Sequence, residues 1–155
     1  MSQEKPNYEV VNEFSTLATK IVAKYPEVFN NIEVDKIQCV KITNKEKSKN
    51  ATSLAQILPV KMPIRLDCPY AWYVIVFYQD WDILTEKHKL LLIARILHEI
   101  PQGDEEGKVV ACDVKDFKTM CRTFGVDYLT DDSVPHLIND NIKWKLPHTI
   151  NDNIE

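Results

Sequence analysis

Residues 71–99 read AWYVIVFYQDWDILTEKHKLLLIARILHE, and this stretch contains the two elements that decide the fold. Its first part, Ala71–Trp81, is rich in β-branched and aromatic residues, which is typical of a strand buried on one or both faces. Its last part, Glu86–Glu99, has apolar residues on most sides, which is typical of a helix buried within a domain. We therefore expect a small mixed sheet that packs against helices in an α+β fold.

Local signals mark both ends of the predicted helix. Thr85 can cap it, and Glu86 places a carboxylate in the first turn, where it interacts favourably with the helix dipole. Pro101 has no N–H to donate to the carbonyl of Leu97, and it disfavours the helical conformation of Ile100. The helix is therefore expected to end before Pro101.

Three further elements are predicted before this pair. Apolar residues spaced by three and four predict a helix over Tyr8–Tyr25, which Pro26 helps to end. Partial alternation of apolar and polar residues predicts a strand within Val34–Thr43. Residues 54–69 contain three prolines, which restrict this segment to an edge strand or an extended crossing.

The last part of the chain is expected to hold one more helix and a tail. Residues Asp113–Phe124 form this predicted helix, which Asp113 caps and Gly125 closes. After Leu129 the periodicity weakens, and the pentapeptide INDNI, whose Asn-Asp-Asn core favours turns, occurs twice. We therefore predict a domain over residues 1–129 and a loosely attached tail over residues 130–155.

Composition excludes several classes of partner. The chain has 155 residues and a net charge of -4, which predicts one domain and does not favour binding to nucleic acid or to an anionic membrane. Its start lacks the pattern of a signal peptide, and no apolar run approaches the ~18 residues of a transmembrane helix. The sequence thus predicts a cytoplasmic protein whose four cysteines are free thiols.

The end of the predicted helix resembles a zinc-binding motif. In H-E-x-x-H, two His at i and i+4 bind one ion from one helix face, and the Glu acts as general base on a metal-bound water. A first register uses His98 and Glu99, with Gln102 in place of the second His. Pro101 lies inside this register and is expected to carry Gln102 away from the face of His98, and a carboxamide is a poor zinc ligand.

A second register uses His98 as the second ligand. Ala94 then stands at the first ligand position, and Arg95 stands at the position of the catalytic Glu. A guanidinium group stays protonated, so it cannot accept a proton from water, and it repels a nearby cation. This register therefore lacks one ligand and the general base.

In the second register the chain resembles the phage metallopeptidase family of small zincin-like proteins. Leu90–His98 matches the helix that ends in H-E-L-L-H in that family, and residues 103–107 match an acidic, glycine-containing turn. Residues 112–117, CDVKDF, match the family's H-D-V-E-D-F, and FGVDY at 124–128 fits the segment that follows. The resemblance implies a zincin-like minimal domain in which Cys112 takes the place of a third His ligand.

Simpler interpretations of the same residues stay open. His98 in the last helical turn interacts favourably with the helix dipole, and no ligand role is needed to explain it. Arg95 and Glu99 are four residues apart and can form an i, i+4 surface pair. Surface roles are expected for the other histidines, and a Cys112 nucleophile paired with His98 is a further hypothesis. The other histidines are His88, His136 and His148.

The resemblance implies a phage or prophage metallopeptidase-like protein, and the departures from the motif predict a pseudoenzyme. We assign no catalytic residue and expect no cofactor. We expect a role as an interaction module for a protein of the host or the phage. The alternative is a zinc-dependent peptidase or metal hydrolase that uses His98, Glu99 and Cys112. In that case zinc is the cofactor, His98 and Cys112 are ligands, and Glu99 is the catalytic candidate.

Overall fold

The computed structural model describes residues 5–46, 54–101, 117–125 and 127–146. Within these ranges the chain forms one four-stranded sheet and four α-helices, which confirms the predicted α+β fold with a small mixed sheet. The elements are β1 (Tyr8–Val10), α1 (Asn12–Lys24), β2 (Ile37–Ile42), β3 (Ala55–Pro59), β4 (Trp72–Phe77), α2 (Tyr78–Trp81), α3 (Glu86–Glu99) and α4 (Lys118–Phe124).

The strands lie in the order β1-β2-β4-β3. The two central strands, β2 and β4, are parallel, with Ile37 opposite Trp72, and each edge strand is antiparallel to its neighbour. The proline-rich segment provides β3 at one edge, as predicted, because an edge strand has no ladder partner on one side and tolerates proline there.

One face of the sheet carries the core. Along β4 the residues Trp72, Val74 and Val76 are buried, whereas the residues between them are partly exposed. The buried face joins a cluster that includes Phe14 of α1 and Leu97 of α3. Burial of apolar side chains between the sheet and these helices is the main stabilising contribution to such a fold.

The first predicted helix is wrong over its first four residues. Tyr8–Val10 forms strand β1, antiparallel to β2, and α1 begins only at Asn12. The backbone N–H of Val11 also donates to the carbonyl of Cys39 at 2.9 Å. Pairing with β2 satisfies backbone groups that a helix would otherwise satisfy, so a contact distant in sequence overrides the local periodicity.

The predicted strand Ala71–Trp81 is also too long. β4 ends at Phe77, and Tyr78–Trp81 forms the short helix α2. Trp81 is almost fully buried, so the turn of helix brings this large side chain into the core.

Helix α3 has the predicted limits. Thr85 Oγ1 accepts a hydrogen bond from the backbone N–H of His88 at 3.4 Å, and the helix begins at Glu86. Its last residue is Glu99, and Ile100 has the extended conformation (φ -82°, ψ 124°) that the following Pro101 imposes.

Helix α4 is shorter than predicted. It begins at Lys118, and Phe117 before it is extended, so the prediction of a helix through Phe117 is wrong there. Asp113, the predicted cap, lies outside the described residues. Gly125 closes the helix as predicted, with a φ of 92° that favours glycine.

The segment from residue 127 to residue 146 contacts the core. Leu137 is fully buried, and Lys24 Nζ donates to the carbonyls of Leu137, Ile138 and Asp140 at 3.0, 2.6 and 2.6 Å. Tyr25 also donates its hydroxyl proton to the carbonyl of Leu137. The predicted division after Leu129, with a loosely attached tail, stays a prediction.

Candidate functional site

The last two turns of α3 hold four of the residues that the sequence singled out. Ala94 and His98 are four residues apart, so they lie on one face of the helix, as the second register requires. Ala94 is fully buried, and His98 is half-buried. Arg95 and Glu99 are also four apart and lie on the neighbouring face.

Aromatic rings surround the imidazole of His98. Its ring centroid lies 5.0 Å from that of Phe29, 5.4 Å from that of Phe117 and 6.0 Å from that of Trp144. These rings come from the loop after α1, the residue before α4 and the segment after α4. Distant parts of the chain therefore meet at the C-terminal end of α3.

Sequence reasoning missed Phe29 of this site, and it also missed Trp144. Its indole makes edge-on contacts with Tyr25, Phe29 and Phe124, with centroid distances of 5.5, 5.7 and 5.2 Å. Its Nε1 is buried and has no hydrogen-bond partner among the described residues. One signal was available, because a large aromatic residue between two lysines, KWK, is unusual in a solvated tail.

Arg95 and Glu99 form the predicted i, i+4 ion pair. Arg95 Nη1 donates to Glu99 Oε1 at 3.2 Å. The side chains are only 18% and 16% exposed, so the prediction of a surface pair is wrong in that respect. Partial burial strengthens the attraction relative to an exposed pair, and it holds the carboxylate of Glu99 against a cation.

A sequence comparison identifies the family. The family model described as "Putative phage metallopeptidase" matches residues 6–141. The chain belongs to this family. Neither the curated proteins nor the solved structures gave a match. The phage metallopeptidase model extends past Leu129, so it includes part of the segment that packs near α1.

The zinc site of a metallopeptidase is not supplied by the described residues. Among them no group of three or more His, Cys, Asp or Glu side chains could hold a metal ion. His98 has a suitable donor, Ala94 has none, and Cys112 lies outside the described residues. The predicted ligand pair of His98 and Cys112 therefore stays a prediction, as does the expectation that no cofactor is bound.

The first register of the motif is interrupted in the structure. Because Ile100 leaves the helical conformation, the helical spacing that would place residue 102 over His98 is broken. Gln102 itself lies outside the described residues. Of the two registers, the second, with Ala94 and His98, is thus the one whose ligand positions share a helix face.

Two other histidines have structural roles. His88 is only 5% exposed, and its Nε2 donates to the carbonyl of Asp131 at 2.9 Å while its Nδ1 lies 2.7 Å from Thr85 Oγ1. The prediction of a surface role for His88 is therefore wrong, because the segment after α4 covers it. His136 Nε2 pairs with Glu86 Oε2 at 3.0 Å, and this bond lowers the pKa of Glu86. His148 lies outside the described residues.

The described cysteines are free thiols, as predicted. Cys39 lies in β2 within the core, and burial raises its pKa to about 12. Cys121 of α4 and Cys68 are partly buried. The reactivity of Cys112 is not tested by these residues. Within the described ranges, no helix is long and apolar enough to cross a membrane.

Proposed function

We propose that this member of the phage metallopeptidase family lacks peptidase activity and acts in the cytoplasm as a binding module for a protein of the host or the phage. One observation carries the proposal. Arg95, which stands at the expected position of the general base, is held in a partly buried ion pair with Glu99. The zinc motif is degenerate in this proposal, with Ala94 at the first ligand position.

The chemistry of peptide hydrolysis explains why this pair matters. A general base must take a proton from water, and the guanidinium of Arg95 is already protonated at any working pH. A cation at this position also opposes the binding of a metal ion, and the methyl group of Ala94 offers no lone pair. Glu99, the other candidate base, has its Oε1 engaged by Arg95.

The surroundings of His98 are compatible with a binding role. A half-buried imidazole and a half-buried indole, His98 and Trp144, lie beside the buried rings of Phe29 and Phe117. Aromatic residues are enriched in protein interfaces because they provide a large contact area with little loss of side-chain entropy. In this proposal the partly exposed His98 and Trp144 contact the partner, and the buried phenylalanines hold them in place.

The alternative function is a zinc-dependent peptidase or metal hydrolase that uses His98, Glu99 and Cys112. The dipeptide of His98 and Glu99 at the end of α3 favours it, because the Glu that follows the first His is the general base in H-E-x-x-H. In this alternative His98 and Cys112 would hold zinc, which would supply a Lewis acid and an activated water.

Metal content and proteolysis of the full-length protein separate the two functions. We expect the purified protein to contain zinc well below one ion per chain and to leave an unfolded protein substrate intact, with or without added zinc. The peptidase would be established by cleavage that meets three conditions. A chelator stops it, Glu99→Gln abolishes it, and Glu27→Gln preserves it. Glu27→Gln is the matched control because it removes an exposed carboxylate outside α3.

Cross-linking tests the binding role directly. In phage-infected cells the full chain should be linked to a partner protein that keeps its full length. Recovery of that partner only as cleavage products would contradict the proposal, because it would make the partner a substrate.

A further inference from the structure

A groove of about 650 Å³ lies on the face of the sheet opposite the core. Its floor is formed by Val40 of β2 and by Tyr73 and Ile75 of β4, whose side chains point away from the helices. Tyr8 of β1 closes one side, and Leu58 of β3 lies on the other. The volume falls within the range of sites that bind small molecules.

The wall of the groove is the segment from Lys61 to Cys68, and hydrogen bonds within this segment fix its shape. Arg65 N–H donates to the carbonyl of Lys61 at 3.0 Å, and Cys68 N–H donates to the carbonyl of Ile64 at 3.1 Å. The guanidinium of Arg65 also donates to the carbonyl of Cys68 at 2.9 Å. Cys68 Sγ lies 3.9 Å from the hydroxyl of Tyr73, which joins the wall to the floor. These contacts hold the wall beside the floor of the groove.

The lining of the groove has a simple charge pattern. Among its described residues Lys61 carries a positive charge, and none carries a carboxylate. Tyr73 adds a hydroxyl group to an otherwise apolar floor. Burial, followed by its contact with Cys68, raises the pKa of Tyr73.

Backbone pairing decides which kind of ligand fits. Both strands of the floor are paired on both sides, β2 with β1 and β4, and β4 with β2 and β3. The floor therefore has no unpaired row of backbone N–H and C=O groups to which an extended peptide could add as a strand. A ligand there contacts side chains only. Apolar contact along the floor and one cation at the wall favour a small ligand with an apolar body and one negative charge.

We infer that this groove binds a small amphipathic carboxylate of the class of medium-chain fatty acids. The apolar chain lies over Val40 and Ile75, and the carboxylate points toward Lys61. The site is separate from the residues at the end of α3, so the inference does not rest on the proposed binding function.

Titration of the full-length protein with decanoate tests this inference. We expect saturable binding, and octanoate should bind up to about fifteenfold more weakly, because it has two fewer methylene groups. Decanol has an apolar chain of similar length without the charge. Lys61→Met should weaken decanoate binding by up to about fivefold, the range of an exposed ion pair, and leave decanol binding unchanged.

A second pair of variants locates the site without disturbing the core. Ile64→Asp places a carboxylate in the wall at a residue that is 69% exposed, so it should weaken decanoate binding strongly and leave the fold intact. Ile83→Asp is the matched control, because Ile83 is 78% exposed and does not line the groove. It should bind decanoate like the unmodified protein.

Three results would overturn the inference. Equal binding of decanoate by Lys61→Met and by the unmodified protein would show that no charge is recognised. Absence of saturable decanoate binding would remove the ligand class. A dimer that Ile64→Asp dissociates and Ile83→Asp preserves would show that this face pairs with a second copy of the chain.

Discussion

The indole ring of Trp144 lies 6.0 Å from the imidazole ring of His98, at an interplanar angle of 67°. The segment after α4 therefore contributes directly to the surroundings of the candidate ligand. Lys24 and Tyr25 at the end of α1 hold this segment through its carbonyl groups. The site thus depends on residues that follow the domain boundary expected from the sequence.

Removal of residues 130–155 should destabilise the protein. It would expose the core surface that Val134 and Leu137 cover, and it would remove the acceptors of Lys24 and Tyr25. Urea unfolding should show a lower midpoint for the chain 1–129 than for the chain 1–146. Equal midpoints would support the predicted loosely attached tail.

A single substitution tests the same packing contact with a smaller change to the protein. Leu137→Ala should lower the free energy of unfolding by about 2–5 kcal/mol, because it leaves a cavity at a fully buried position. Ile83→Ala removes a side chain that is 78% exposed and should change the free energy by less than ~0.5 kcal/mol. Equal effects of the two substitutions would show that Leu137 is not docked in solution.

The double variant Ala94→His, Arg95→Glu should gain zinc if the second register is right. It places two imidazoles on one face of α3, with Cys112 as the predicted third ligand. Because Ala94 is fully buried, the larger side chain should cost about 1–3 kcal/mol, so stability must be compared in the same variant with and without zinc. Zinc at a hundredfold excess over Kd adds ~2.7 kcal/mol.

Gln102→His is the control for that experiment. It supplies the second His of the first register. Because the extended Ile100 interrupts the helix before residue 102, this variant should gain little zinc. Zinc uptake by Gln102→His, together with none by the double variant, would show that the first register is correct. His98 and Glu99 would then be the first ligand and the general base.

The pair of Glu86 and His136 should make stability depend on pH at the acidic end. The hydrogen bond from His136 lowers the pKa of Glu86 from its ordinary value of 4.5. The carboxylate therefore adds stability above about pH 4.5, and this contribution is lost as the pH falls through the lowered pKa. The difference in unfolding free energy between the unmodified protein and Glu86→Gln should follow this course.

His136→Gln checks the cause of that effect. It removes the ring that bonds to Glu86, so the pKa of Glu86, measured by NMR titration, should rise toward 4.5. A pKa of Glu86 that stays unchanged in this variant would assign the effect to other groups.

Cys39 should resist thiol reagents in the folded protein. With a pKa of about 12, roughly one thiol in ten thousand is ionised at pH 8, and the side chain is fully buried. Peptide mapping by mass spectrometry should find Cys68 labelled before Cys39, and urea should abolish the difference. Equal labelling rates in the native protein would show that β2 opens readily.

The ends of helices that depend on residues adjacent in sequence were predicted correctly. Thr85 and Pro101 limit α3 through one capping hydroxyl and one missing N–H, and Gly125 closes α4 through its positive φ. The ion pair of Arg95 with Glu99 follows from helical spacing alone. Its low exposure could not be predicted, because burial depends on elements that are distant in sequence.

The sequence by itself determined α3, the strand character of β4 and the family, because each depends on residues that are close along the chain. Only the tertiary structure decided that Tyr8–Val10 is a strand, since its hydrogen-bond partners lie in β2. The surroundings of His98 were likewise decided by packing. Phe29 and Trp144 are far from α3 in sequence, and they meet His98 because burying aromatic surface brings their segments together.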